Sequence, residues 1–246
     1  MQAADVAVPY ITYDLGDIKL PLVDAILSDL VEKRQNDTIP DTLLFLSYLP
    51  CLAVGARQLD QKDLLKPLPW FEKQGIPLHK SVRGGGLTFH WPGQLVCYPI
   101  LKLRENEKNI PQYMRNLEEI GLRTLADLGV KAHRKREQTA QIGLWVGSNK
   151  IASTGIRISR WVTSYGCALN LSGDPSPSHY IRPCGLDADL ITVEGLTGKN
   201  IDREKTKHKV QSYFNTIMHR QEMVVKKDVP QIQDILNASR SRNIEQ

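Results

Sequence analysis

IGLWVGSNKIASTGIRISRWVTSYGCALNL, residues 142–171, holds three runs rich in β-branched and aromatic residues, 142–146, 150–159 and 162–171. Such runs read as strands. Gly147-Ser148-Asn149 and Arg160-Trp161 separate them, and the first connection suits a hairpin, which sets the neighbouring strands antiparallel. Outward from this ribbon, residues 110–128 change to a helical period, with Met114, Leu117, Leu125 and Leu128 on one face and Pro111 suited to a first turn. Gly121 falls on that same face, where it weakens the helix slightly but lets another element pack close. Residues 95–103 read as a buried strand, and 43–46 with 52–54 as strand structure interrupted near Pro50. Residues 20–33 form an amphipathic helix through Leu22, Val23, Ile26, Leu30 and Val31, 202–218 a third helix and 232–239 a short fourth. Pro67 and Pro69 mark a linker. Irregular alternation of helices with hairpins predicts a mixed α/β (α+β) domain with a mixed sheet and no internal repeat. One domain is expected over 1–246, with a core at about 43–220 and a disordered tail at 237–246.

At 246 residues and 41% hydrophobic composition the chain can bury a full core. No run reaches the roughly 18 apolar residues of a membrane-spanning helix. The first ten residues hold no Arg, Lys, Ser or His and one Asp, so no targeting segment is expected there. Cys51, Cys97, Cys167 and Cys184 are far apart without a C-x-x-C pair, which argues against a zinc site and against a secreted disulfide framework. A formal charge of +5 favours an acidic partner, with basic runs at 131–136 and 205–209. No nucleic-acid module accompanies those runs, so an acidic protein is expected rather than a nucleic acid.

Cys184 stands in Ile181-Arg-Pro-Cys-Gly185, where proline stiffens the approach and glycine lets backbone come close to a bound group. A lone cysteine is more often a small buried hydrophobe, which is how Cys51, Cys97 and Cys167 read. A nucleophilic thiol needs its thiolate, which a nearby cation favours. Lys150, at the start of an apolar strand after a glycine turn, is the candidate cation, against the plainer reading of an exposed hairpin lysine. Arg83-Gly84-Gly85-Gly86-Leu87-Thr88-Phe89-His90 is neither a Walker loop nor a dinucleotide fingerprint. Its glycines let backbone N–H groups approach a carbonyl or an acyl chain, and His90 offers a donor or an acid/base; a turn-forming role is the alternative.

Five separated stretches together resemble the lipoate-biosynthesis octanoyltransferase family: Arg83-Gly-Gly-Gly-Leu-Thr-Phe-His-Trp-Pro-Gly-Gln-Leu-Val-Cys-Tyr-Pro-Ile100, Lys150-Ile-Ala-Ser-Thr-Gly-Ile-Arg157, Ser159-Arg-Trp-Val162, Gly166-Cys-Ala-Leu-Asn170 and Ile181-Arg-Pro-Cys-Gly185. The resemblance spans residues 43–197. It implies the fold shared with lipoate and biotin protein ligases and two-step acyl transfer, with Cys184 as nucleophile and Lys150 as its partner. It places substrate contacts at Arg83, Gly84, Gly85, Gly86, Leu87, Thr88, Phe89 and His90, at Ser153, Thr154 and Gly155, and at Gly166, Cys167 and Ala168. It implies no metal and no other cofactor. The implied partners are octanoyl-acyl carrier protein, the lipoyl domains of 2-oxo-acid dehydrogenase E2 subunits and the glycine-cleavage H protein. The implied location is the mitochondrial matrix for a eukaryotic source and the cytoplasm otherwise. The sequence departs from the family pattern at Trp91, where a glycine is usual, at Tyr165, where a histidine is usual, and at Cys167, where a phenylalanine is usual. At Trp91 two outcomes stand open: the backbone there tolerates a Cβ, or the pocket mouth is remodelled and the bulky side chain shortens the site. Two rivals stand beside this reading: an ATP-dependent ligase on the same fold, which would need a phosphate loop and no Cys184, and a relative that binds acyl chains or lipoyl domains without catalysis.

Overall fold

The computed structural model describes residues 7–135 and 141–223. Strands β1 (Val8–Ile18), β2 (Asp41–Tyr48), β6 (Gln94–Ile100), β7 (His133–Arg134), β8 (Gly143–Val146), β9 (Asn149–Ser159), β10 (Val162–Asn170) and β11 (Arg220–Glu222) form an eight-stranded sheet in the order β11-β1-β2-β6-β10-β9-β8-β7. β3 (Cys51–Val54), β4 (Leu78–Lys80) and β5 (Leu87–His90) form a second sheet in the order β4-β3-β5. β1 runs parallel to β2 and β11, and β3 to β4, while the remaining pairings are antiparallel. The mixed sheet is as expected.

Period-two alternation on β2 builds the layers. Leu43 and Phe45 face one side with Leu95, Cys97 and Leu169, where α3 (Ile110–Asp127) and α5 (Arg203–Met218) supply Leu117, Ile120, Leu125, Val210 and Phe214. Leu44 and Leu46 face the other side with Val96 and Tyr98, against Val23, Ile26, Leu27 and Leu30 of α1 (Leu20–Gln35). Burying each such side chain stabilises the fold by about 1.5–3 kcal/mol before entropy is counted. Gly121 allows α3 to sit close: a Cβ there would lie 2.8 Å from Leu144 Cδ1 and 3.4 Å from Leu169 Cδ2. Asn109 and Asp202 cap α3 and α5, accepting from Gln112 N–H and Lys205 N–H at 3.0 Å each.

The structure corrects the sequence reading in several places. Residues 8–18 form β1, whose apolar alternation is broken at Asp14, Gly16 and Asp17, where the pairing with β2 shifts register. The Pro67/Pro69 segment is not a linker but α2 (Leu68–Lys73), with proline in the first turn, where its missing N–H costs nothing. The interruption at Pro50 moves the chain from one sheet to the other. A further short helix, α4 (Val193–Thr197), precedes α5. The expected helix at 232–239, the tail at 237–246 and the end of the basic run 131–136 lie outside the described residues. Among the described residues no helix is long and apolar enough to cross a membrane.

Candidate active site

Between the small sheet and β9–β10 of the large one lies a cavity of about 500 Å³, walled mainly by apolar atoms. One side is the glycine loop before β5. The Arg83 guanidinium, buried behind it, donates from Nη1 to Gly84 O at 3.0 Å and from Nη2 to Ala53 O and Gly86 O at 2.9 and 3.1 Å. Gly85 O accepts from Arg57 N–H at 3.0 Å, and Gly84 N–H ties the loop to Ile156 O of β9 at 2.9 Å. Arg83 therefore fixes the loop by saturating carbonyls, and Gly85, at φ +90°, takes a conformation that L side chains resist.

The strand after the loop separates contact from core. Thr88 and His90 face the cavity, whereas Leu87 and Phe89 pack with Leu52, Val54, Phe71 and Ile76 on the opposite side. Leu87 and Phe89 thus sit in the core outside the cavity lining, because neighbouring strand residues point to opposite faces. Trp91 follows the same parity. It is buried and stacked on Phe89 at 5.3 Å, its Nε1 donates to Ser172 O at 2.9 Å, and it does not line the cavity. Of the two outcomes open for Trp91, this placement fits a backbone that tolerates a Cβ, with the side chain turned into the core. Tyr165 is also outside the lining; its hydroxyl donates to Asp24 Oδ1 at 3.1 Å, and burial raises the pKa of that carboxyl to about 6.

Cys184 sits in the 3-10 turn Pro183–Gly185 with φ 55° and ψ 24°, a left-handed conformation uncommon for a residue with a Cβ. Neighbouring bonds hold it: Arg182 N–H donates to Asp63 O at 2.7 Å, Gly185 N–H to Arg182 O at 2.9 Å and Leu186 N–H to Pro183 O at 3.1 Å. The thiol is partly exposed at the cavity. Its Sγ lies 3.9 Å from where a Gly85 Cβ would stand, so the nucleophile candidate and the glycine loop touch. Arg57 closes this side; its guanidinium lies against Gly86 and Gly185 and donates to Asp63 Oδ2 at 3.2 Å.

Across the cavity Lys150 is only 4% exposed. Its N–H donates to Asp189 O at 2.8 Å, its C=O accepts from Ile191 N–H at 3.1 Å, and its ammonium stands over the Trp145 ring at 5.3 Å. Burial lowers the lysine pKa, and Arg83 adds to the lowering, while the charges of Cys184 and Glu118 act in the opposite sense. Beside it, Asn170 Nδ2 donates to Lys150 O and Ile191 O at 3.2 and 3.0 Å, so Asn170 Oδ1 accepts from Gln94 Nε2 at 3.0 Å. Gln94 Oε1 is therefore the acceptor facing His90 Nδ1 at 2.7 Å, which puts the imidazole proton on Nδ1. Burial and the nearby Arg83 hold the His90 pKa down at about 4. His90 is a neutral, oriented ring at pH 7, which keeps it available as a hydrogen-bonding group or a base rather than as an imidazolium.

Of the sequence candidates, Cys184, Lys150, Arg83, Gly84, Gly85, Gly86, Thr88, His90, Ser153, Thr154, Gly155, Gly166, Cys167 and Ala168 all line this cavity. Sequence reasoning missed Arg57, Tyr98, Ile110, Met114, Ile142, Ile156 and Pro183. Tyr98, Ile156 and Pro183 lay inside or beside the quoted motifs, and Met114 had been placed on the apolar face of α3; Ile110 and Ile142 carried no local signal. Cys51 and Cys97, by contrast, are buried thiols pushed up by their surroundings, Cys51 to about 12 by burial, Cys97 by its thiol's hydrogen bond to Cys167 and by burial.

A mixed α/β domain that sets a thiol and a buried amine on the lining of one apolar cavity is the class of structure suited to holding an acyl chain beside a nucleophile. Residues 25–215 match the family of the lipoyl protein ligase A/B catalytic domain. The octanoyltransferase of Solibacter usitatus is 40% identical over 182 residues, covering 74% of this chain and 81% of its own. That of Caldicellulosiruptor bescii is 35% identical over 205 residues, covering 82% and 89%. Among solved structures, a lipoate-protein ligase A bound with ATP superposes with a TM-score of 0.75 at 14% identity over 98% of this chain and 95% of the other. The archaeal bi-partite lipoate protein ligase from Thermoplasma acidophilum gives 0.70 at 15%, over 98% and 92%. At those identities the structural matches speak for the fold alone. The chain belongs to the lipoyl protein ligase A/B catalytic domain family, and the curated relatives it matches over most of its length are octanoyltransferases.

Proposed function

We propose that this enzyme transfers an octanoyl group from octanoyl-acyl carrier protein to one lysine of a lipoyl domain through a thioester on Cys184. The observation that carries the reading is the convergence of Cys184 and Lys150, from different sheets' surroundings, on one apolar-walled cavity. In the first half-reaction the Cys184 thiolate attacks the octanoyl carbonyl, the carbon–sulfur bond to the carrier breaks, and the carrier thiol leaves with a proton relayed by Lys150. In the second, the ε-amine of the acceptor lysine attacks the acyl-enzyme carbonyl, an amide forms, and Cys184 leaves as the thiol. Backbone N–H groups of the glycine loop, which Cys184 Sγ approaches at Gly85, would serve as donors to the tetrahedral oxyanion. The acyl chain runs along Cys167, Met114 and Ile142. The acceptors would be E2 lipoyl domains or the glycine-cleavage H protein, and the positive charge of the chain suits acidic partners. The relatives named above are bacterial, so the mitochondrial location gains no support from them.

The test is transfer itself. Mixed with octanoyl-carrier protein and a lipoyl domain in the absence of ATP, the enzyme should add one octanoyl group to the domain. Modification that requires ATP and free octanoate would replace this reading with the ligase, and binding without modification would replace it with the non-catalytic relative.

A further inference from the structure

A carboxylate lies buried behind the candidate lysine. Glu118, on α3, is 7% exposed. Its Oε2 accepts from Arg134 Nε at 3.0 Å and its Oε1 from the backbone N–H of Gly143 at 3.3 Å. Gly143, at φ +128°, is pressed between β9 and the lysine: a Cβ there would lie 2.4 Å from Ala152 O and 2.7 Å from Lys150 Cε. Glu118 therefore grips the backbone against which the Lys150 side chain rests, and its negative charge acts on an ammonium that shares the cavity with the Cys184 thiol. A buried ammonium is costly without a counter-charge, and in the resting thiol state Cys184 supplies none.

We propose that Glu118 is a positioning residue for acyl transfer, the standing counter-charge that keeps Lys150 an ammonium beside Cys184. The proposal rests on the role of Lys150 given above. Among the described residues, the charged groups that act on Lys150 are Cys184 from the 183–185 turn, Arg83 from the glycine loop and Glu118 from α3. Trp145 of β8 offers its ring at 5.3 Å, with Lys135 over that ring at 4.3 Å. Arg134 tempers Glu118 and also bonds Glu119 Oε2 at 2.8 Å and Arg115 O at 3.1 Å. Removing Glu118's charge and removing Arg134's charge must therefore act on Lys150 with opposite sign. A merely structural role for the pair would move both variants the same way, or neither.

The experiment is the pH dependence of single-turnover acylation by octanoyl-carrier protein in the full chain, for wild type, Glu118→Gln, Arg134→Gln and Lys150→Met. The alkaline limb should move to lower pH in Glu118→Gln, to higher pH in Arg134→Gln, and vanish in Lys150→Met. A limb that persists in Lys150→Met would overturn the lysine reading itself. A limb lost in Lys150→Met yet unmoved, or moved in one direction, in the other two variants would overturn the role of Glu118 and leave that of Lys150 standing. Should Glu118→Gln fail to fold, Arg134→Gln decides: an upward shift supports the proposal, and an unmoved limb ends it.

Discussion

The two walls of the cavity are made differently. On the small-sheet side the backbone is irregular: Gly85 and Cys184 have φ of +90° and 55°, and loop carbonyls are taken up by Arg83 and Arg57. On the large-sheet side Lys150, Ser153 to Gly155 and Gly166 to Ala168 come from paired strands β9 and β10. The irregular wall can present a thiol on a turn that leaves it partly exposed. The regular wall can bury a lysine to 4% exposure and still satisfy its backbone. In the proposed mechanism a nucleophile needs access and its cationic partner needs shelter, and the two walls supply one each.

The largest effect expected from either wall is at the thiol. Cys184→Ala should lower octanoyl transfer by at least about 10³-fold with the thermal midpoint unchanged, checked by initial rates beside a melting curve. From the regular wall, Lys150→Ala should cost about 10²–10⁴ in acylation rate. Equal losses in carrier binding would contradict a role in the chemical step.

The next contrast lies within one strand. Phe89→Ala should cost about 3–5 kcal/mol of stability by denaturant unfolding and leave acyl selectivity alone. Thr88→Val, facing the cavity, should change activity more than stability. A Phe89 variant with normal stability would break the assignment of opposite faces. Smaller still, Cys167→Leu adds volume to the cavity wall and should shift preference toward shorter acyl chains, whereas Trp91→Phe should not, measured by competition between octanoyl and hexanoyl carriers.

A pH test separates shelter from access. His90 has a pKa held near 4 by burial, below its unfolded value, so its contribution to stability is fully present above about pH 6.5 and is lost as pH falls toward 4. His90→Gln should flatten that part of the stability curve; an unchanged curve would place the acid sensitivity elsewhere.

Much of the regular wall was legible in the sequence, because strand alternation and short glycine turns are local signals, and 142–171 became β8, β9 and β10. The motif stretches brought together fourteen cavity residues of the sixteen expected. Leu87 and Phe89 fall outside the lining because a motif quoted end to end ignores strand parity. β1 was hidden by acidic residues at its register shift, and α2 by prolines that also open helices. Ile110 and Ile142 reach the cavity from separate elements of the chain, and Arg57 by leaning on two glycines, none of which leaves a local pattern. Glu118 carries no signal in the sequence; only the fold brings it to the Gly143 backbone against which Lys150 rests.

Intact mass measurement of the enzyme mixed with octanoyl-carrier protein, without ATP and without acceptor, tests the central claim most directly. One octanoyl adduct, mapped to Cys184 and absent from Cys184→Ala, is the result this account predicts. An adduct retained in Cys184→Ala, or transfer to a lipoyl domain by that variant at the wild-type rate, would contradict it.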